Sequence, residues 1–316
     1  MPFNLKETLV VGISATALFD LSESDELFKK EFITNPDEAI TRYRKYMRKN
    51  EDIPLEEGIG FPLVKALLSL NKYQKKGEAP LVEVIIMSRN SPDTGIRVLN
   101  TIRTFGLGIT RSAFTAGESS ADYLESFNVD LFLTTNEEDA QKVIDNGVCA
   151  SAILSTPVQY KCDIPEGQVR IAFDGDAVLF DESSELVYKE QGIEAFHKNE
   201  NESQNTPMKE GPFAAFLIKL AKLQERLPMK MEFSPIRIAI VTARNAPSDL
   251  RVIKTLRHWG VYVDEAFFLG GLEKSKILKS FKAHIFFDDQ DIHLKNSSLV
   301  VPSGKVLYPS HSKLNN

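Results

Sequence analysis

Two ten-residue strings, RVLNTIRTFG at residues 97–106 and RVIKTLRHWG at 251–260, stand 154 positions apart in a chain of 316 residues, and five of their ten positions are identical. The same interval carries FNVDLFLTTNEED from Phe127 onto FKAHIFFDDQDIH from Phe281. Upstream, Pro54 and the Glu57-Gly58 pair fall on Pro207 and the Glu210-Gly211 pair at an interval of 153. LVVGISATALFD at 9–20 falls on RIAFDGDAVLFD at 170–181 at an interval of 161. Chance similarity would not hold one register over most of a half-chain, and a single small insertion reconciles the intervals. The chain therefore reads as a tandem duplication, with halves at 1–165 and 166–316, each of ordinary domain size.

Within each half, apolar runs of strand length alternate with helical segments. RIAFDGDAVLF and IRIAIVTAR are rich in Ile, Val and Phe and end in polar residues, as buried parallel strands do. PSDLRVIKTLRHWG follows with Leu250, Ile253, Leu256 and Trp259 at helical spacing and Gly260 as the stop. The fold class expected is α/β, two tandem Rossmann-like halves with parallel sheets covered on both faces. After each opening strand comes an excursion too long for a loop, at about 21–80 and 182–234, with helical stretches such as GPFAAFLIKLAKLQERL. The string HKNENESQNTPMKEG inside the second reads as a mobile, solvated connector.

A net charge of −6 gives no basic surface for a nucleic acid polymer. Two cysteines, Cys149 and Cys162, make neither a disulfide framework nor a metal pair, which suits a reducing compartment. No apolar run approaches membrane-spanning length, and the first residues lack the pattern of a secretion signal. A cytoplasmic protein without a membrane partner is expected, with room left for a homo-oligomer.

In open parallel sheets, ligands bind beyond the carboxyl ends of the strands. In the second half those ends carry Asp174 and Asp176, then Thr242, Ala243 and Arg244, then Lys274, then Asp288 and Asp289. Four carboxylates at one sheet edge repel each other unless a cation joins them, and hard oxygen donors of this kind suit Mg²⁺. Thr242 offers a hydroxyl and Lys274 a compact positive charge for an anion. Each piece alone has a plainer explanation: a strand-end turn for the two acids, a helix cap for Thr242, a surface amine for Lys274. Together and in this order they point to phosphoryl transfer.

The order DxDxV, Thr, Lys, Asp-Asp resembles the four motifs of the haloacid dehalogenase superfamily. The longer strings FDGDAVLF, VTAR, MSRNSPDTG, NVDLFL and HIFFDDQ resemble the cytosolic type I 5′-nucleotidases from about residue 8 to about 294. That resemblance implies a Mg²⁺-dependent hydrolysis of nucleoside 5′-monophosphates. Asp174 would be the nucleophile and Asp176 the acid and base, with Thr242, Ala243, Arg244 and Lys274 around the phosphate. Mg²⁺ would be held by Asp174, the Asp176 carbonyl and Asp288, with Asp289 either beside Asp288 on the ion or one layer behind it. Arg244 is left between two roles, a phosphate or base contact and an exposed first-turn arginine. The two excursions would be caps, with Phe196, His197 and Phe213 as candidates for stacking on a base, although aromatics at helical spacing are more often core. Another small phosphomonoester, such as a sugar phosphate, stays open as substrate, as does a nucleotide-sensing protein with vestigial catalysis.

Carried across the repeat, Asp174 falls on Ile13, Asp176 on Ala15, Lys274 on Ser120, and Asp288 and Asp289 on Thr134 and Thr135. The first half thus keeps the pattern without the chemistry. It either retains a nucleotide pocket near Arg89 and Asn90 or serves only to pack against the second half.

Overall fold

A computed structural model describes residues 5–155, 167–228 and 234–315. Cys162 and the expected junction at 165/166 lie outside the described residues. Strands are numbered in chain order: β1 (Leu9–Ser14), β2 (Phe19–Asp20), β3 (Glu56–Glu57), β4 (Val82–Ser88), β5 (Arg111–Phe114), β6 (Leu131–Thr134) and β7 (Ala150–Leu154) in the first half. The second half holds β8 (Val169–Phe173), β9 (Ile236–Thr242), β10 (Glu265–Phe268), β11 (Ile285–Asp288) and β12 (Ser303–Lys305). Among the described residues no helix is long and apolar enough to cross a membrane.

Ten of these strands form one sheet in the order β10-β9-β8-β11-β12-β7-β6-β1-β4-β5, while β2 and β3 pair separately. Read outward from its centre, each side runs through the same five positions: β7-β6-β1-β4-β5 on one and β12-β11-β8-β9-β10 on the other. Each side is parallel within itself, and the two meet at the antiparallel β7–β12 pair. One continuous, mostly parallel sheet therefore replaces the separate sheets expected. The β7–β12 pairing covers two edges that would otherwise present unpaired backbone groups. Across the seam Asp130 takes the ammonium of Lys219 at 2.6 and 2.8 Å and also accepts from Val10 N.

The inner strands are apolar on both faces because helices cover both, and β4 is buried at all seven residues. The helix Asp249–His258 forms where the spacing places it, but its inward face differs from the one expected. Val252, Thr255 and Leu256 are buried, whereas Leu250 and Ile253 are 50% and 42% exposed. Thr255 is accommodated because its hydroxyl accepts from Met208 N at 3.0 Å.

Strand register refines the comparison of the halves. Ile13 pairs with Ile86 on β4, and Phe173 pairs with Ile240 on β9, the residue 154 positions on. Ile13 therefore occupies the place of Phe173, and Ser14, not Ile13, stands where Asp174 does. A few residues later the interval is larger by one: Gly58 N bonds Leu18 O at 2.9 Å, and Gly211 N bonds Leu179 O at 2.8 Å. The second half carries one extra residue in the turn after its first strand.

Candidate active site

That turn builds the site. After β8 the chain winds Gly175–Leu179 as a wide π turn in which Asp176 stays extended (φ −69°, ψ 140°) and Ala177 is left-handed at φ 56°. Behind it Phe173 stacks on Phe287 of β11 at 5.6 Å, so the two acid-bearing strand ends are anchored in the core. A Cβ added at Gly175 would lie 3.3 Å from Thr242 Oγ1, so a glycine lets the turn approach the end of β9.

The carboxylates of Asp174, Asp288 and Asp289 converge, each offering an oxygen within 4.8 Å of the others. Asp288 ends β11 and is fully buried, and Asp174 and Asp289 are 4% exposed. Lys274, the first residue of the helix Lys274–Phe281, is 2% exposed, so it is no surface amine. Its Nζ lies 2.9 Å from Asp174 Oδ1 and 2.7 Å from Asp288 Oδ2. Burial pushes the Asp174 carboxyl up to about 6, partly offset by Lys274. Burial likewise raises Asp288, and it raises Asp289 well above the usual carboxylate range with the charges of Asp174 and Asp288 adding to the effect. Burial opposes the charge on Lys274, but Asp174 and Asp288 outweigh it and hold the amine above its ordinary value. Three acids against one ammonium leave a buried negative excess. Among the described residues Asp289 Oδ1 has no hydrogen-bond partner, and Asp174 Oδ1 has only the Lys274 ammonium alongside. Three converging carboxylates with one cation among them and a free Asp289 oxygen suit a hard divalent cation, and Mg²⁺ fits the donor set.

Asp176 is not brought to the triad. Its side chain turns to Arg244, whose Nε and Nη2 donate to the two carboxylate oxygens at 2.8 and 2.6 Å. That leaves the Asp176 carbonyl for the cation role expected of this residue. Thr242 is buried at the end of β9 and accepts from Arg244 N at 3.3 Å, while Ala243 next to it is exposed. Arg244 itself is 4% exposed, so the exposed first-turn role is ruled out for it in this arrangement. Its Nη1 donates to Glu200 at 2.5 Å, and its guanidinium lies 5.2 Å from the ring of Phe196. Burial opposes the charge, yet Asp176 and Glu200 hold it firmly protonated.

Glu200 was not among the sequence candidates. It lies in the helix Ser183–Glu202, inside the string expected to be a mobile connector, and is fully buried. It accepts from Ser184, Arg244 and Arg251 at 2.8, 2.5 and 2.9 Å. Its one available signal is position: four residues after the buried Phe196, on the same helical face. Of the stacking candidates, Phe213 is fully buried and packs 4.6 Å from Phe287, a core residue. Phe196 is buried beneath Arg244, and His197 Nε2 meets Asn245 Oδ1 at 3.2 Å, joining the excursion to the loop after β9. Tyr308, in a tail with no readable motif, donates its hydroxyl to Asp289 Oδ2.

At the matching place in the first half, hydroxyls form a chain: Ser14 Oγ to Thr16 Oγ1 at 3.1 Å and Thr16 Oγ1 to Thr135 Oγ1 at 2.6 Å. Arg89 is engaged by Asp139 at 3.0 and 2.7 Å, and Asn90 accepts from Tyr43 at 2.9 Å.

A family model described as 5′-nucleotidase matches residues 1–313. The human protein cytosolic 5′-nucleotidase 1B is 34% identical over 300 residues, covering 92% of this chain and 47% of its own length. The chain thus spans about half the length of that relative. No solved structure matches. Family match and strand-end motifs agree: the chain belongs to the 5′-nucleotidase family.

Proposed function

We propose that the protein is a Mg²⁺-dependent phosphomonoesterase that hydrolyses nucleoside 5′-monophosphates to nucleoside and phosphate. The observation that carries this is the buried triad of Asp174, Asp288 and Asp289 around Lys274, with a net negative charge and one Asp289 oxygen that no hydrogen bond among the described residues fills. Family membership supplies the nucleotide as substrate class. We assign the chain to two haloacid-dehalogenase-type halves, 1–165 and 166–316, with caps at about 21–80 and 182–234. The repeated strand order about β7 and β12 supports that assignment.

Asp174 attacks the phosphorus, forms an aspartyl-phosphate and expels the nucleoside 5′-oxygen, dividing one displacement into two. With a carboxyl pushed up to about 6 it is ionised at neutral pH and able to attack. Lys274 and Thr242 steady the phosphoryl oxygens, Lys274 giving up part of its hold on Asp174 and Asp288. Asp176 protonates the leaving oxygen, then draws a proton from the water that hydrolyses the intermediate. In the arrangement described, both Asp176 oxygens accept from Arg244, so this contact has to open and the carboxylate has to take up a proton from solvent before Asp176 donates. Asp174, Asp288, Asp289 and the Asp176 carbonyl would hold Mg²⁺, which when bound neutralises charge on the transferring phosphoryl group.

A panel of phosphomonoesters assayed with Mg²⁺ and with EDTA tests the proposal. Nucleoside 5′-monophosphates should turn over with Mg²⁺ alone, and Asp174→Asn should lose nearly all activity while folding normally. Retention of more than about a tenth of the rate, a barrier change under roughly 1.4 kcal/mol, removes Asp174 as nucleophile. Faster turnover of sugar phosphates, or nucleotide binding without turnover, overturns the substrate assignment.

A further inference from the structure

The C-terminal tail crosses the seam between the halves. After β12, Lys305 is followed by Val306, Leu307 and Tyr308, and the Tyr308 hydroxyl donates to Asp289 Oδ2, one of the three converging carboxylates. The backbone around Tyr308 is held by the first half. Gln141 Nε2 donates to Tyr308 O at 2.9 Å. Ser310 N and Oγ donate to Asp145 Oδ1 and Oδ2 at 2.7 and 2.6 Å. Gln141 and Asp145 both lie on the helix Glu137–Asn146, which follows β6. Ser312 Oγ then bonds Glu182 at the entrance to the second-half cap, and Asn315 Nδ2 folds back onto Pro309 O at 2.8 Å. On its other side the Tyr308 ring has Lys189 Nζ of the cap helix 6.0 Å from its centroid.

Asp289 has four lone-pair directions to place in a buried site. Tyr308 occupies Oδ2, while Oδ1 has no hydrogen-bond partner among the described residues. A donor on one oxygen fixes the rotation of the carboxylate and leaves the other to face the triad, the arrangement by which groups behind a metal ligand orient it. We infer that Tyr308 is a positioning residue for the cation-binding carboxylate Asp289, and that the first half, through Gln141 and Asp145, holds Tyr308 in place. This inference rests on the proposed cation role of the triad. It gives the half that lacks counterparts of the triad a part in the active site: it supplies no cation ligand or reacting group but fixes the tail that orients a cation-binding carboxylate.

Calorimetric titration of Mg²⁺ into the 316-residue chain tests this without needing turnover, and the Mg²⁺ concentration for half-maximal hydrolysis gives a second reading. Tyr308→Phe, which keeps the ring and removes the donor, should weaken Mg²⁺ binding about tenfold. Asp145 is exposed, so Asp145→Asn should fold normally and weaken Mg²⁺ binding by a smaller factor in the same direction. Because both act through one contact, the double variant should bind no more weakly than Tyr308→Phe alone, within about twofold. Wild-type Mg²⁺ binding in either single variant, or fully additive losses in the double, overturns the inference. If the wild type binds Mg²⁺ but hydrolyses no nucleoside monophosphate, the functional proposal fails and calorimetry still decides the role of Tyr308. A wild type that binds no Mg²⁺ overturns both.

Discussion

Arg244 holds Asp176 by both carboxylate oxygens, Nε to Oδ2 at 2.8 Å and Nη2 to Oδ1 at 2.6 Å, while Nη1 reaches Glu200 at 2.5 Å. One planar guanidinium thereby ties the strand-end acid to the helix Ser183–Glu202. Lysine has the charge but lacks the fork, so it cannot serve both carboxylates in fixed geometry. Arg244→Lys should lower kcat/KM for a nucleoside monophosphate at least tenfold, with most of the loss in kcat. Steady-state kinetics beside a melting curve checks this, and a variant within twofold of wild type would mean the fork has no part in placing Asp176.

Glu200 is fully buried between Arg244 and Arg251. Removing one member of such a group strands the others, at a cost of about 3 kcal/mol or more. Glu200→Gln should therefore lower the urea midpoint clearly, and Arg251→Lys, which keeps a cation at the more exposed end, should lower it less. Equal midpoints for Glu200→Gln and wild type would show that the carboxylate contributes no net stability.

Gly211 and Gly58 pass close beneath the two turns. A Cβ at Gly211 would lie 2.3 Å from Phe180 O and 2.8 Å from Val178 O; at Gly58 it would lie 2.7 Å from Leu18 C. Both Gly→Ala changes should destabilise by about 1–3 kcal/mol through overpacking. Only Gly211→Ala displaces the Val178–Phe180 backbone that continues from Asp176, so it alone should also reduce kcat. Melting temperatures with kcat for the two variants separate the effects.

His284 opens the approach to β11, is 5% exposed, and accepts from Arg170 N through Nδ1 at 3.0 Å. Burial, with Arg170 nearby, lowers its pKa from 6.5 to about 4. The unfolded chain thus binds this proton at higher pH than the folded one. The stability held by neutral His284 is complete above about 6.5 and is lost as pH falls toward about 4, on the order of 3 kcal/mol in all. His284→Asn keeps an acceptor for Arg170 N and removes the titration. Urea unfolding at pH 7 and pH 5 should show a smaller drop for this variant than for wild type.

Much of the site can be read along the chain because its residues follow strands. Asp174, Thr242 and Asp288 are each the last residue of an apolar run or the next one, and strand-end position is a local property. Lys274 is legible only in company, since nothing nearby in sequence says that its amine turns inward between two acids 100 and 14 residues away. Glu200 and Tyr308 were missed for the same reason: their partners, Arg244 and Asp289, lie 44 and 19 residues off. Polar composition made the Glu200 stretch look solvated, although burial there is compensated by two arginines. The helix Asp249–His258 shows the opposite failure. Its apolar spacing located the helix, but Thr255 faces inward because Met208 N supplies a partner, and Leu250 faces out.

The two turns differ in length as well as in side chains: five steps separate Ile13 from Leu18, and six separate Phe173 from Leu179 between matching backbone positions. If the halves descend from one ancestor, this difference acts as a ratchet. Acids lost from Ser14 or Thr135 could return by single substitutions. The extra residue between Phe173 and Leu179, in a turn that takes a left-handed step at Ala177 after its two acids, could not return without an added codon. Once a turn of this kind has been shortened, reversion by point mutation is closed to it, and the half is free to drift toward whatever service its neighbour needs.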